Sequence, residues 1–176
     1  MATRRCSRRW RSGQALTESV FAIFALSVAF FAGLQLAHLY TAGMIASHTA
    51  AVTARSYVVG FETDIVQRAS EVGSIGMAGL LVQPDEYSRL SPAELGALEP
   101  RLIERFVSEN GYTLYYEHWG RIDEDLPLLD GEGMAPVRIR VHNYPLLISM
   151  PRIFGADSVG FSRSASLLNH AGYYLE

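Results

Sequence analysis

The chain has 176 residues, 49% of them hydrophobic and 19% charged, with a formal net charge of −3. That length leaves room for one modest domain beyond any membrane segment. The charge is unevenly placed: Arg4, Arg5, Arg8, Arg9 and Arg11 precede Gly13 without a single acid, and after Gly13 ten basic residues face eighteen acids, a balance of −8. An acidic body of this kind argues against nucleic acid as the partner. Cys6 is the only cysteine, so no disulfide framework can form within the chain.

Directly after the basic arm comes an apolar run. Ser19 to Leu34 is sixteen residues without a charge or an amide, and Ala15 to Leu39 extends the segment to 25 positions. A membrane-spanning helix needs about 20 mostly apolar residues, so membrane lipid is the expected surrounding. The five arginines before it, against Arg55 alone in the twenty residues after Leu39, orient it with the N-terminus on the cytoplasmic side. A secretory signal has the same basic and apolar regions but ends in a small-residue cleavage site after them. Here helix-favouring sequence runs straight through Ala42-Gly43-Met44 and Ala46-Ser47, where such a site would fall. Gln35 and His38 are polar positions in or just above the span, suited to the interface or to a neighbouring helix.

From Thr41 to Val59 there is no proline, one glycine (Gly43), and alanine at 46, 50, 51 and 54. Gly60 reads as the cap. A helix from about Ala15 to Val59 would measure on the order of 65–70 Å at 1.5 Å per residue, roughly twice the hydrocarbon thickness. Beyond it, Asp64 to Val72 has the apolar spacing of a short amphipathic helix. Gly73, Gly76 and Gly79 then make a connection that is either mobile or tightly packed. Ser91-Pro92-Ala93-Glu94 is a helix start with a capping box, and Pro100 is expected to end or kink that helix. A fresh apolar stripe follows at Leu102, Ile103, Phe106 and Val107, stopped by Asn110-Gly111.

The last third has strand character. Tyr112 to Trp119 is aromatic-rich. Val137 to His142 alternates, putting Val137, Ile139 and Val141 on one face. Val159, Phe161, Ala165 and Leu167 share a face with Arg163, with Ser162, Ser164 and Ser166 opposite. The expected class is therefore α+β: a long N-terminal transmembrane helix, short helices, then a small antiparallel sheet of at least three strands.

No catalytic constellation is visible. The histidines at 38, 48, 118, 142 and 170 lack metal-ligand spacing. Gly160-Phe161-Ser162-Arg163-Ser164 fails the nucleophile elbow at its last position, and Gly131-Glu132-Gly133 continues as Met-Ala-Pro, which suits neither a dinucleotide nor a phosphate loop. The reading is non-catalytic, with no catalytic, cofactor-binding or metal residues. Asp123-Glu124-Asp125 with Asp130 and Glu132 is the nearest thing to a cation site, but it lacks calcium-loop spacing and reads as a solvated loop. Tyr112, Tyr115, Tyr116 and Trp119 read as core and edge packing, with a carbohydrate or partner surface as the alternative.

Gly13 followed by Glu18, with an apolar helix beyond, resembles the processing motif of type IV pilins, Gly-x-x-x-x-Glu. More finely, Gly13-Gln14-Ala15-Leu16-Thr17-Glu18, together with His48-Thr49-Ala50-Ala51-Val52-Thr53-Ala54-Arg55, looks like the TadE-like minor pseudopilins of the tight-adherence (Tad) pilus. The resemblance is clear over residues 8–60 and looser at the strands Val137–Tyr144 and Val159–Leu167. It implies a pilin-like fold and three segments: a leader (1–13) removed by prepilin peptidase, a long helix (14–60) spanning the bacterial inner membrane in its first half, and a periplasmic or extracellular α+β domain (61–176). Cleavage after Gly13 would free Gln14 as the new N-terminus. Glu18 would then pair with that α-amine on a neighbouring subunit, offsetting the cost of placing a carboxylate at a lipid-facing helix. The implied partners are prepilin peptidase, other pilin and minor pilin subunits in a hetero-oligomer, and the inner-membrane assembly platform, with possible incorporation in the extracellular pilus. One departure stands out: relatives often carry an aromatic right after the glutamate, whereas here Ser19 follows, with Phe21 two residues later. That and the length point to a divergent minor subunit. The alternatives are a type II secretion pseudopilin and a single-pass membrane protein with a ligand-binding external domain.

Overall fold

The computed structural model describes residues 6–85, 87, 90–109, 112–126, 134–147 and 158–168. In chain order these form α1 (Cys6–Val58), α2 (Thr63–Ser74), a 3-10 turn (Ile75–Met77), β1 (Leu81–Gln83), α3 (Pro92–Ser108), β2 (Tyr115–Tyr116), a second 3-10 turn (Trp119–Arg121), β3 (Ile122–Asp125), β4 (Met134–Pro145) and β5 (Ser158–Leu168). The architecture is α+β, with one long apolar N-terminal helix, two shorter helices and small antiparallel sheets. The chain divides into two compact units, residues 1–39 and 40–176.

Within the second unit, the end portion of α1 carries Ala42, Ala46, Ala50 and Ala54, all at most 1% exposed. A four-residue spacing keeps them on one side of the helix, and Thr49 and Thr53, equally buried, widen the stripe. Small side chains let other elements approach closely. A Cβ added to Gly73 of α2 would stand 3.3 Å from the Thr49 Cα, and one on Gly76 would stand 3.0 Å from the Ile45 side chain. The glycine-rich connection after α2 is thus tightly packed. The buried Thr49 hydroxyl donates back to the Ile45 carbonyl at 2.9 Å, so the stripe admits it without an orphaned donor.

Gly60 ends α1 as expected. Its φ is +85°, its N–H donates to the Tyr57 carbonyl, and the Phe61 N–H donates to that of Ser56. This paired pattern satisfies the last orphan carbonyls and needs a left-handed residue at its centre.

The larger sheet has the order β3-β4-β5, antiparallel throughout. Val137, Ile139 and Val141 of β4 are at most 2% exposed, as their alternation requires. Register places Ile139 between Glu124 of β3 and Arg163 of β5, so those three form one row across the inner face. Arg163 interrupts the apolar face of β5, and its guanidinium lies against α1: a Cβ added to Gly43 would stand 3.0 Å from its Nη2.

β1 and β2 form a separate antiparallel pair beside an aromatic core of Ala78, Leu81, Leu102, Phe106, Leu114, Tyr116 and Trp119. α3 begins with the expected capping box: the Ser91 side chain accepts from the Glu94 N–H, and Glu94 accepts from the Ser91 N–H at 3.0 Å. Pro100 does not end this helix, which continues to Ser108. Proline removes one intrahelical donor, but Leu102 and Phe106 beyond it are buried in the aromatic core, and that packing holds the helix together. The Tyr116 hydroxyl donates to Glu99 at 2.5 Å, tying β2 to the same helix.

Two further expectations are corrected. The strand expected over Tyr112–Trp119 shrinks to Tyr115–Tyr116. Trp119 is drawn against Tyr116 and Phe106, with ring centroids 4.9 and 5.8 Å away, and the chain turns there into a 3-10 segment. The acidic stretch Asp123–Asp125 is not a loop but edge strand β3, while Asp130 and Glu132 lie outside the described residues, as do Asn110 and Gly111.

Candidate functional site

The residues singled out by sequence lie on α1. Gly13 and Gln14 fall inside the helix, which is continuous from Cys6. Gln14 and Glu18 are four residues apart, hence on one face, and both are exposed. In the intact helix Glu18 is twelve residues from the first helical position, about 18 Å along the axis at 1.5 Å per residue. A cut after Gly13 would leave it four residues, about 6 Å, from a new positive helix end carrying a free amine. The cut would therefore change the electrostatic setting of Glu18 without moving the residue.

Beyond Glu18 the helix presents large apolar side chains outward: Phe21 is 73% exposed, Leu26 71% and Phe24 66%. Its most apolar 18-residue stretch has mean hydropathy 2.2 and is wholly unburied, and among the described residues it is the one helix long and apolar enough to cross a membrane. The hydroxyls in this segment turn back on the helix. Thr17 donates to the Gln14 carbonyl, Ser19 to Ala15 and Ser27 to Ile23, each at 2.8 Å. Self-satisfied hydroxyls are what a lipid-facing surface requires, because hydrocarbon offers no partner.

The other residues considered from sequence do not form a site together. Asp123 and Asp125 point to the outer sheet face, where Asp123 lies 3.1 Å from His142 Nε2 and Asp125 lies 2.6 Å from Arg140. Glu124 points the other way. Among the described residues no group of three His, Cys, Asp or Glu side chains could hold a metal ion. The aromatics also separate: Tyr116 and Trp119 are buried, Tyr112 stacks on Arg105 at 4.7 Å, and Tyr115 is 40% exposed. Core packing accounts for most of them.

A feature invisible in the sequence lies between α2 and β3. A cavity of about 480 Å³ is lined by Gln67, Ser70, Glu71, Ser74, Tyr115, Trp119, Gly120, Ile122, Asp123 and Glu124. Across it Ser70, fully buried, donates to Glu124 at 3.3 Å. Burial raises the Glu71 carboxyl above its ordinary value; the Glu124 charge adds to the rise, and a hydrogen bond from Gln67 and the charge of Arg68 oppose it. Glu124 is also raised, chiefly by burial and further by Asp123, against the Ser70 hydrogen bond and its own backbone. No spacing rule joins residues 54 positions apart, and the alternation that makes Glu124 inward-facing was hidden by its two acidic neighbours.

Among the described residues, the fold and site thus define an α+β domain joined to one helix long enough to span a bilayer. No family model, curated protein or solved structure matches the chain.

Proposed function

We propose that this chain is a pilin-like assembly subunit, of the minor pseudopilin type found in Tad pili, and that it is non-catalytic. The observation carrying this reading is the continuity of Gly13-Gln14-Ala15-Leu16-Thr17-Glu18 with an apolar helix whose large side chains from Val20 to Leu36 are outward. A simple membrane anchor needs neither the glycine junction nor a carboxylate at the head of its span, and a carboxylate in hydrocarbon is costly unless paired. Prepilin peptidase removes residues 1–13, Gln14 becomes the first residue, and Glu18 pairs with the Gln14 amine of a neighbouring subunit. The span is held in the bacterial inner membrane until assembly, with the following domain outside the cytoplasm and other pilin subunits as its partners.

Replacing Glu18 by Ala tests the assembly role. Cleavage after Gly13 should persist, while co-purification with partner pilins from native membranes should fall at least tenfold, the loss of about 1.4 kcal/mol or more of pairing. Undiminished co-purification of E18A would remove the role given to this carboxylate.

A further inference from the structure

The cavity between α2 and β3 brings together two glutamates that neither the membrane segment nor the sheet uses. Glu124 stands on the inner sheet face beside Ile139, a row otherwise filled by a buried aliphatic side chain and the stem of Arg163. Glu71 follows Ser70, the residue that reaches across to Glu124, and both carboxylates line the same space. We propose that the Glu71–Glu124 pair makes the α2–β3 seam a proton-operated clasp, closed while the pair holds a proton and loosened once both carboxyls are ionised.

The surroundings supply little compensating charge. From α2 the facing groups are Gln67, Ser70 and Ser74, with Arg68 acting on Glu71 from the preceding turn. From β3, Asp123 borders the space while its carboxylate lies by His142 on the other sheet face, and its charge adds to that of Glu124; from β2 and the following turn come Tyr115, Trp119 and Gly120. Arg140 and His142 lie on the opposite sheet face against Asp125 and Asp123. Arg121 donates to the Asn143 carbonyl, and the Arg163 head sits at Gly43. With both glutamates ionised, two half-buried negative charges share a water-accessible gap; neutralising one removes the repulsion and part of the burial cost.

The sign of the effect follows from linkage. Both carboxyls hold protons more tightly in the folded chain than their ordinary value of 4.5. The folded state therefore binds more protons than the unfolded one above that pH. The stabilisation is complete below it and is lost as pH rises through the raised values.

The test is thermal unfolding of the full chain in detergent micelles at about pH 5 and about pH 8, for the natural sequence, E71Q, E124Q and the control E104Q. Each seam variant should raise the melting temperature by roughly 2–4 °C at the higher pH and flatten the pH dependence. E104Q, altering an exposed side chain of α3, should leave the profile unchanged. Unchanged slopes in E71Q and E124Q, or lower melting temperatures at the higher pH, would overturn the clasp. Should either variant fail to fold, amide exchange in the natural chain decides: residues 63–74 and 122–125 should be better protected at the lower pH, after correction for intrinsic exchange, and equal protection refutes the proposal.

Discussion

Along α1, residues 20–36 turn phenylalanine, leucine, isoleucine and valine outward, whereas residues 42–54 bury alanine and threonine. The composition is apolar in both stretches, so hydrophobicity alone does not distinguish them. Side-chain size does. Small residues permit backbone-to-backbone approach, as Thr49 and Gly73 show, and they bind a helix into a folded domain through close packing. Large outward residues bury nothing within the chain. They stabilise only where another apolar phase, lipid or neighbouring helices, takes the place of water.

The contrast can be broken from either side. The largest effect is expected in the folded unit from Ile139→Ala, which removes a fully buried side chain at the centre of the sheet. It should cost about 2–5 kcal/mol in thermal unfolding of the micelle-bound chain while leaving resistance to alkaline membrane extraction intact. Phe24→Arg should do the reverse: a penalty of about 2.5–3.5 kcal/mol on membrane insertion, read as release of the chain on extraction, with the melting temperature of the folded unit unmoved. Ala46→Leu sharpens the comparison within α1 itself. At a position with no exposure, the added bulk should destabilise by about 1–3 kcal/mol. Ala25→Leu, on the exposed stretch, should be neutral in the same measurement.

Much of this arrangement was legible beforehand because local rules were enough. The apolar run, the Gly60 cap, the Ser91–Glu94 box and the alternation of Val137, Ile139 and Val141 each follow from a few consecutive residues. What escaped depended on distant partners. Pro100 reads as the end or a kink of its helix, and that the helix runs on becomes clear only with Leu102 and Phe106 buried in the aromatic core. Asp123-Glu124-Asp125 reads as a solvated loop because three consecutive acids mask the period of two; β4 supplies arginine and histidine opposite the outer two and leaves Glu124 facing α2. The exposed Gln14 and Glu18 were readable as a motif, yet nothing local states what they meet, since their proposed partner is another molecule.

The reading of Gly13 as a junction is tested most directly by the N-terminus of the protein recovered from the membranes of its native host. Intact-mass and terminal-peptide spectrometry should find a chain beginning at Gln14, with Glu18 as its fifth residue. A chain beginning at Met1 or Ala2 would contradict the proposed processing and leave the apolar helix as an anchor alone.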